Sequence, residues 1–213
     1  YVLVLNWNGP HHLHACLPSL VETHYKNCRF VVLDNGSTDG SQTWVRDAYP
    51  QVELMEFDRN RGFTGANNAG IRAAMAEGAD YVALLNNDTR VDPDWLSALV
   101  DVAEAPQDIA LCHSQQLTWD GQREIHLLFH PQYAAGGTVT RPRSRGRSPV
   151  PTTYAAGCCM LLRTEALSRI GVFDPRYFAY AEDLDLSLRA WLMGYSVMLV
   201  PSSLVYHRGG GSS

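Results

Sequence analysis

Apolar residues fall in short runs that alternate with amphipathic stretches through the first hundred residues of the chain. Runs rich in Val, Leu and Phe, a composition typical of strands, occupy 1–7, the first part of 28–41, 52–58 and 81–85. Helices are predicted between and after them, at 11–23, 41–50, 65–78 and 91–105. Near-continuous apolar strands are typical of parallel sheets that are covered on both faces. The pattern therefore predicts an α/β fold with a mostly parallel central sheet flanked by helices.

Local signals predict where several of these helices begin and end. We expect the helix 91–105 to begin with Asp92 as its N-cap and with Pro93 at its first helical position. Pro50 should end the second helix, because the residue before a proline is disfavoured in helical conformation. Gly78 is expected just past the end of the third helix, where a left-handed residue is common.

The second half of the chain is less regular. The segment 109–117 predicts a strand, and 155–167 predicts a strand followed by the start of a helix. The stretch "DLDLSLRA" alternates polar and apolar residues as a strand does, yet its leucines and Trp191 also share one helical face. Acidic residues at its front and Gly194 behind it favour a helix, and the apolar run that ends at His207 predicts the last strand.

A basic segment interrupts this second half. Within 136–150, residues of Pro, Ser and Gly separate four arginines, which are Arg141, Arg143, Arg145 and Arg147. We interpret the segment as a mobile loop. A solvated run of charge is the default interpretation, and contact with an anionic acceptor or a membrane surface is the alternative.

Composition narrows the class of protein. The chain has 213 residues, 46% of them hydrophobic, which suits a single domain with halves 1–105 and 106–213. A formal net charge of −5 argues against a nucleic-acid partner, because nucleic-acid-binding surfaces are normally basic. The five cysteines form no C-x-x-C pair, so we expect free thiols in a reducing compartment such as the cytoplasm, and no zinc site.

The ends of the chain and its hydropathy bear on membranes. No run approaches the roughly 18 apolar residues of a membrane span, and no signal peptide is recognised. The chain opens on Tyr1 inside an apparent strand, without an initiator methionine. We therefore expect the chain to be a piece of a longer protein, whose flanking segments could include membrane helices.

Three predicted strands end in acids, amides or glycine. Asp34 follows the second strand, Asn60 and Gly62 follow the third, and the fourth is followed by Asn86, Asn87 and Asp88. A turn could explain any one of these groups, because Asp and Asn side chains bond their own backbone in turns. In a parallel sheet, however, all three would gather on one rim, where open α/β sheets bind ligands.

The kind of ligand follows partly from what is missing. The chain contains neither G-x-x-x-x-G-K-[ST] nor G-x-G-x-x-G, and Gly36 and Thr38 occupy positions where a calcium loop needs ligands. A divalent cation on Asp88 would hold a phosphate instead, since Mg²⁺ typically uses one or two carboxylates, phosphate oxygens and water.

A second acidic cluster, formed by Glu182, Asp183 and Asp185, lies far along the chain. The helix dipole explains one or two acids at a helix start, but three within four residues repel one another. His207, at the end of the last strand, is either an ordinary partnered side chain or a ligand of the same cation.

Taken in order, these segments resemble family 2 glycosyltransferases with the GT-A fold, especially bacterial rhamnosyl- and galactofuranosyltransferase-like members. The resemblance covers essentially the whole chain, and its specificity comes from several motifs in the right order. The matching stretches are "VLVLNWNG", "VVLDNGSTDGS", "NRGFTGANNAGI", "LLNNDTRVDPDWL", "AAGCCMLLRTEAL", "GVFDPRYFAYAEDLDLSLRAW" and "VYHRGGGSS".

The resemblance implies a role for each matched residue. Asp183 matches the catalytic base, Glu182 is its neighbour, and Asp88 and His207 match metal ligands. Asn86 and Asn87 stand where many members carry aspartate. The implied nucleotide-sugar site comprises Trp7 against the base, Asp34 on its edge, and Asn8, Asn60, Gly62, Asn67, Asn86, Asn87 and Asp88.

These roles imply an inverting, metal-dependent glycosyltransferase that uses Mn²⁺ or Mg²⁺. Its donor would be a UDP- or dTDP-linked sugar, and its acceptor a hydroxyl of a glycan or a lipid-linked molecule. The expected location is the cytoplasm, with peripheral association at the inner face of the membrane left open. Two alternatives stay open, namely a non-catalytic nucleotide-sugar-binding domain and, ranked lower, a sugar-phosphate nucleotidyltransferase.

Overall fold

The fold is built on one mixed sheet. The computed structural model describes residues 1–105, 108–130, 135–142 and 148–209. Its strands are β1 (Val2–Asn6), β2 (Phe30–Asp34), β3 (Glu53–Glu56), β4 (Tyr81–Asn86), β5 (Thr89–Val91), β6 (Ile109–Thr118), β7 (Arg123–His130), β8 (Ala135–Pro142), β9 (Val150–Pro151), β10 (Cys159–Arg163) and β11 (Ser196–His207). Its helices are α1 (Pro10–Val21), α2 (Ser41–Ala48), α3 (Gly62–Ala76), α4 (Trp95–Glu104), α5 (Thr164–Ile170) and α6 (Glu182–Leu192).

The first half of the chain forms the parallel part of the sheet, as predicted. The strands lie in the order β3-β2-β1-β4, and each neighbouring pair is parallel. In this register Asn6 is opposite Asp34, and Leu5 is opposite Asn86. The polar residues that follow these strands therefore share one rim of the sheet.

The second half completes the sheet with mixed pairing. Strand β10 is antiparallel to both β4 and β6, and β11 runs parallel to β6. At its end β11 also pairs antiparallel with β5, which brings His207 opposite Thr89. The last strand thus returns to the same rim, directly beside the residue that follows Asp88.

Helices cover both faces of the sheet. One core cluster packs α1 and α4 against the strands around the fully buried Trp95. The other packs α3, α5 and α6 against the opposite face and includes Phe173. Among the described residues, no helix is long and apolar enough to cross a bilayer.

Two local predictions were wrong. Helix α4 begins at Trp95, so Asp92 and Pro93 precede it; the carbonyl of Asp92 accepts a hydrogen bond from the Trp95 amide in a turn. The expected loop 136–150 is partly strand, because the Thr- and Val-containing start of the segment lies in β8 and pairs with β7. The expected mobility of 143–147 concerns residues outside those described.

The ambiguous segment near the end is a helix, as predicted. Helix α6 begins at Glu182, directly after two non-glycine residues with positive φ, Tyr180 (70°) and Ala181 (67°). Left-handed backbone at such residues costs roughly 1–3 kcal/mol each and persists only where the surroundings hold it. The predicted left-handed end of α3 is present as well, since Gly78 has φ +79°.

Asn68 holds the loop that leads into α6. It is 3% exposed, its amide nitrogen donates to the Phe173 carbonyl at 2.8 Å, and its oxygen accepts from the Phe173 amide at 3.0 Å. Further along, the Thr64 amide donates to the Phe178 carbonyl at 3.4 Å. Helix α3 therefore anchors the backbone from which Asp183 is presented.

We predict that Asn68→Ala lowers the free energy of unfolding by about 3 kcal/mol, because it leaves two buried backbone groups of Phe173 unpaired. Urea denaturation followed by circular dichroism measures the change. The exposed Asn27→Ala is the matched control and should be within about 0.5 kcal/mol of the parent. Equal losses in the two variants would show that the Asn68 clamp does not stabilise the fold.

Candidate active site

A buried network of amides and acids joins three strand ends at the rim. The Asn6 amide nitrogen lies 3.2 Å from Asp34 Oδ2 and 3.3 Å from Ser37 Oγ, as a donor to both. The Asn87 amide nitrogen donates to Asn6 Oδ1 at 2.9 Å. Asn6 was missed from the sequence, although it too is a polar residue at the end of an apolar run. The network brings Asp34 and Asn87 together, as the parallel arrangement predicts.

Asp34 is fixed by its own turn. It is 1% exposed, and its Oδ1 accepts hydrogen bonds from the Ser37 amide at 2.9 Å and from Gln42 Nε2 at 3.0 Å. With the Asn6 bond, three of the roughly four acceptor positions of the carboxylate are used. Asp34 therefore stabilises its own turn. One acceptor position of the carboxylate stays available, and its contact with a nucleotide base stays a prediction.

Trp7 and Asn8 lie where β1 leaves the sheet. Trp7 is 48% exposed, so its ring is available to a flat ligand. Asn8 has a positive φ of 48°, its amide donates to Ser37 Oγ at 3.0 Å, and its side-chain oxygen accepts from the Thr38 amide at 2.8 Å. Asn8 thus connects the two loops that border the exposed ring.

Asn60 and Gly62 shape the next part of the rim. Asn60 Oδ1 accepts from the Gly62 amide at 2.8 Å and from the Asn35 amide nitrogen at 2.9 Å. Gly62 has φ +73°, and a Cβ there would lie 2.5 Å from the Phe178 carbonyl oxygen, so only glycine fits. Asn67 differs from its neighbours, because it is 1% exposed and donates to the Phe63 carbonyl of its own helix.

Asp88 is the most unusual polar group at the rim. It is 2% exposed, and neither carboxylate oxygen has a hydrogen-bond partner among the described residues. His207 Nε2 forms an ion pair with Asp88 Oδ2 at 3.3 Å. Burial alone would raise the pKa of Asp88, but the ion pair with His207, helped by the charge of His12, outweighs burial and lowers the pKa.

This arrangement fits a divalent cation. Buried polar atoms normally have partners, so two orphaned carboxylate oxygens beside an imidazole nitrogen are a donor set in need of a cation. Carboxylate suits both Mg²⁺ and Mn²⁺, and imidazole suits the transition metal better. Across the described ranges no cluster of three or more His, Cys, Asp or Glu side chains could hold a metal, so ligand oxygens and water would complete the shell.

Asp183 is held in a fixed orientation. Its Oδ2 accepts from the Tyr154 hydroxyl at 2.7 Å and from the Gly157 amide at 2.9 Å. Its Oδ1 accepts from the Leu184 amide at 2.8 Å. Neither Tyr154 nor Gly157 was predicted as a site residue, because both contacts arise only from tertiary packing.

Glu182 lies in different surroundings from its neighbour. It is 5% exposed, and within the described part of the chain its Oε2 has no hydrogen-bond partner. Burial raises the pKa of Glu182 to about 7, and the negative charge of Asp183 adds to the increase. At pH 7 about half of Glu182 is therefore protonated, whereas an ordinary glutamate is almost fully ionised.

One short segment links the two acidic centres. The Asn86 amide donates to the Cys158 carbonyl at 2.9 Å, while the preceding residue, Gly157, donates to Asp183. Burial raises the pKa of the half-buried Cys158 thiol, and the charges of Asp88 and Asp183 both add to the increase. The structure thus gathers the strand that leads to Asp88 and the start of α6 around residues 157 and 158.

Solved structures share this arrangement of the chain. GalNAc-T7 with UDP, GalNAc and Mn²⁺ matches with a TM-score of 0.78 at 17% identity, covering 97% of this chain and 43% of that one. A mannosyltransferase from Pyrobaculum calidifontis, in complex with GDP-Man and Mn²⁺, matches with a TM-score of 0.73 at 19% identity, covering 99% and 57%. The chain spans about half the length of these structures. The fold is that of the GT-A glycosyltransferases.

Within this class, the chain belongs to glycosyl transferase family 2, because the sequence model of that family matches residues 1–171. The N-acetylglucosaminyl-diphospho-decaprenol L-rhamnosyltransferase of Mycobacterium tuberculosis is 28% identical over 230 residues, covering 97% of this chain and 75% of its own length. The low-salt glycan biosynthesis hexosyltransferase Agl10 of Haloferax volcanii is 24% identical over 164 residues, covering 76% and 52%.

The raised pKa of Glu182 predicts a pH-dependent loss of stability. An unfolded glutamate releases its proton near pH 4.5 and folded Glu182 near 7, so stability falls as pH rises through this interval. Glu182→Gln lacks this loss and should be more stable than the parent by up to about 3 kcal/mol above pH 7, with little difference near pH 4.

Thermal unfolding from pH 4 to 9 measures this difference. The matched control is Glu165→Gln, an exposed glutamate in the first turn of α5. Its surface ion pair with Arg169 is worth about 0.2–1 kcal/mol, so the control should stay within about 1 kcal/mol of the parent at every pH. A gap between Glu182→Gln and the parent that is equal at pH 5 and pH 8 would contradict the burial of a protonated Glu182.

Proposed function

We propose that this domain is the catalytic domain of an inverting, metal-dependent glycosyltransferase that moves a sugar from a nucleoside-diphosphate donor to an acceptor hydroxyl. The observation that carries the proposal is the buried Asp88 carboxylate, on the rim that also holds Asp183. Among the residues that the structure describes, its carboxylate is paired only with His207, at 3.3 Å. Such a rim offers one cation site and one hydrogen-bonded carboxylate, which are the two groups that this transfer needs.

Asp88 and His207 would hold the Mn²⁺ or Mg²⁺ ion. When bound, the cation neutralises the negative charge that develops on the departing diphosphate. The low exposure of Asp88 keeps water from screening this charge. Asn86 and Asn87 replace aspartates of the usual motif, and their amides can bond donor oxygens without adding negative charge.

Asp183 acts as the general base in this proposal. Its carboxylate removes the proton of the acceptor hydroxyl, which then attacks the anomeric carbon from the face opposite the diphosphate and inverts it. Glu182 is about half protonated at pH 7, so it adds less negative charge beside the base than an ordinary glutamate would.

The remaining rim residues would bind the donor. The exposed ring of Trp7 would stack on uracil or thymine of a UDP- or dTDP-linked sugar, and Asp34 would bond the edge of the base through its remaining acceptor position. The other residues assigned to this site are Asn8, Asn60, Gly62 and Asn67. Of these, Asn67 would act through the shape of α3, because its side chain is buried against its own helix.

We propose a glycan or lipid-linked sugar as the acceptor. The mycobacterial relative is named for a diphospho-decaprenol substrate, which supports a lipid-linked acceptor. We propose that the reaction takes place in the cytoplasm at the inner face of the membrane, with the domain attached peripherally.

A non-catalytic nucleotide-sugar-binding domain is the second candidate, favoured by the amides at Asn86 and Asn87. It predicts donor binding without turnover. A nucleotidyltransferase would release pyrophosphate, whereas the proposed enzyme releases a nucleoside diphosphate, so product analysis separates the three.

We predict that Asp183→Asn lowers the rate of sugar transfer by about 10²–10⁴-fold, because an amide cannot accept the hydroxyl proton. Release of nucleoside diphosphate in the presence of acceptor is the measurement, and donor affinity should stay within about twofold. Asp101→Asn, an exposed position on α4, is the control for the lost charge. A parent-like rate in Asp183→Asn would remove this residue as the base.

His207→Ala should weaken nucleotide binding only in the presence of Mn²⁺. Thermal-shift measurements with UDP, dTDP and GDP first identify the nucleotide, and calorimetry then gives its affinity with and without the metal. Loss of an imidazole ligand should lower the Mn²⁺-dependent affinity at least about tenfold. The exposed His24→Ala is the control, and an unchanged affinity in His207→Ala would place His207 outside the metal shell.

A further inference from the structure

Tyr154 contacts the proposed base, Asp183, from another part of the chain. It lies between β9 and β10, and its half-buried side chain donates from the hydroxyl to Asp183 Oδ2 at 2.7 Å. This hydroxyl orients one oxygen of the Asp183 carboxylate.

The two oxygens of Asp183 have unequal surroundings. Oδ2 accepts two hydrogen bonds, one from the Tyr154 hydroxyl and one from the Gly157 amide at 2.9 Å. Oδ1 accepts one, from the Leu184 amide at 2.8 Å. Each carboxylate oxygen has two acceptor positions, so Oδ2 is saturated and Oδ1 keeps one position for a substrate proton.

The segment that carries Tyr154 is itself attached to α6. The Ala155 amide donates to Ser187 Oγ at 3.1 Å, and this hydroxyl donates to the Asp183 carbonyl at 2.7 Å. On the other side, the Thr152 amide donates to the Val197 carbonyl at 2.8 Å. The tyrosine hydroxyl and the carboxylate thus belong to one hydrogen-bonded unit whose relative position is fixed before any substrate binds.

We propose that Tyr154 is a positioning residue that locks Asp183 through Oδ2 and leaves Oδ1 as the atom that removes the acceptor proton. The inference rests on the proposed function. In the step, the acceptor O–H bond breaks and its proton moves to Oδ1, while the acceptor oxygen bonds to the anomeric carbon. The bond from that carbon to the diphosphate oxygen breaks, and the diphosphate keeps the electron pair.

Titratable groups from three parts of the chain act on this carboxylate. They are Tyr154, the Cys158 thiol and the adjacent Glu182. Burial, and then the charge of Asp183, raise the pKa of Tyr154 above its ordinary value, so its hydroxyl stays protonated and donates throughout the working pH range. A donor that is always present stabilises the carboxylate anion, and its removal must show in the pH dependence of the rate.

The test is Tyr154→Phe, which deletes only the hydroxyl. The acid limb of the pH profile of kcat should move to higher pH by about one unit, because a hydrogen bond to the anion is lost. At pH 7 kcat should fall about tenfold, because Asp183 loses the contact that fixes its orientation. The KM for the donor should stay within about twofold, because Asp183 does not bind the nucleotide. Tyr195→Phe, a half-buried tyrosine just past α6, is the matched control and should match the parent.

Difluorotyrosine at position 154 provides a second variant that keeps the packing. Its more acidic hydroxyl donates a stronger hydrogen bond, so the acid limb should move to lower pH than in the parent. Shifts in opposite directions in the two variants support the proposal. If Tyr154→Phe does not fold, the direction of the difluorotyrosine shift decides by itself.

An unchanged acid limb in both variants would overturn the positioning role, as would a loss confined to the donor KM. These results differ from a failure of the proposed function. If the parent releases no nucleoside diphosphate, or if Asp183→Asn keeps its rate, the base assignment itself is wrong and the role of Tyr154 falls with it. If both of those behave as expected, the Tyr154 variants test this inference alone.

Discussion

One buried charge constrains the arrangement of the whole sheet. Asp88 is 2% exposed, and removing a carboxylate from water costs several kcal/mol, on the order of the stability of a domain, unless a partner compensates. The partner, His207, belongs to the last strand. It reaches Asp88 because β11 pairs with β5, so that His207 lies opposite Thr89. The pairing of β11 with β5 thus supplies the partner that stabilises the buried Asp88 carboxylate.

The second centre depends on the register of a single strand. Strand β10 is antiparallel to β4 with Cys159 opposite Leu85, so residues 157 and 158 lie beside the end of β4. In that position the Cys158 carbonyl accepts from Asn86 and the Gly157 amide donates to Asp183. A slip of one residue would reverse which groups face each partner. The separation of Asp88 and Asp183 is therefore set by backbone pairing.

The sequence predicted the parts of this structure that local patterns encode. Continuous apolar runs identified the parallel strands, and polar residues at their ends identified the rim. The pairing of β7 with β8 was missed, because a segment rich in Arg, Pro and Gly has no strand pattern until a partner is known. Asp92 resembled a cap, but a turn precedes the helix, which begins at Trp95. The contact of Tyr154 with Asp183 depends on two separate elements docking, and no spacing within one segment signals it.

The strained turn before α6 explains how two adjacent acids come to differ. Successive helical residues point about 100° apart, so the direction in which the helix begins decides which surroundings each acid meets. Tyr180 and Ala181 set that direction with two left-handed residues in a row. As a result, Asp183 faces the donors of the segment before β10, while Glu182 turns into the interior, where burial raises its pKa to about 7. The strained turn thus directs one carboxyl group into the interior and places its neighbour against hydrogen-bond donors.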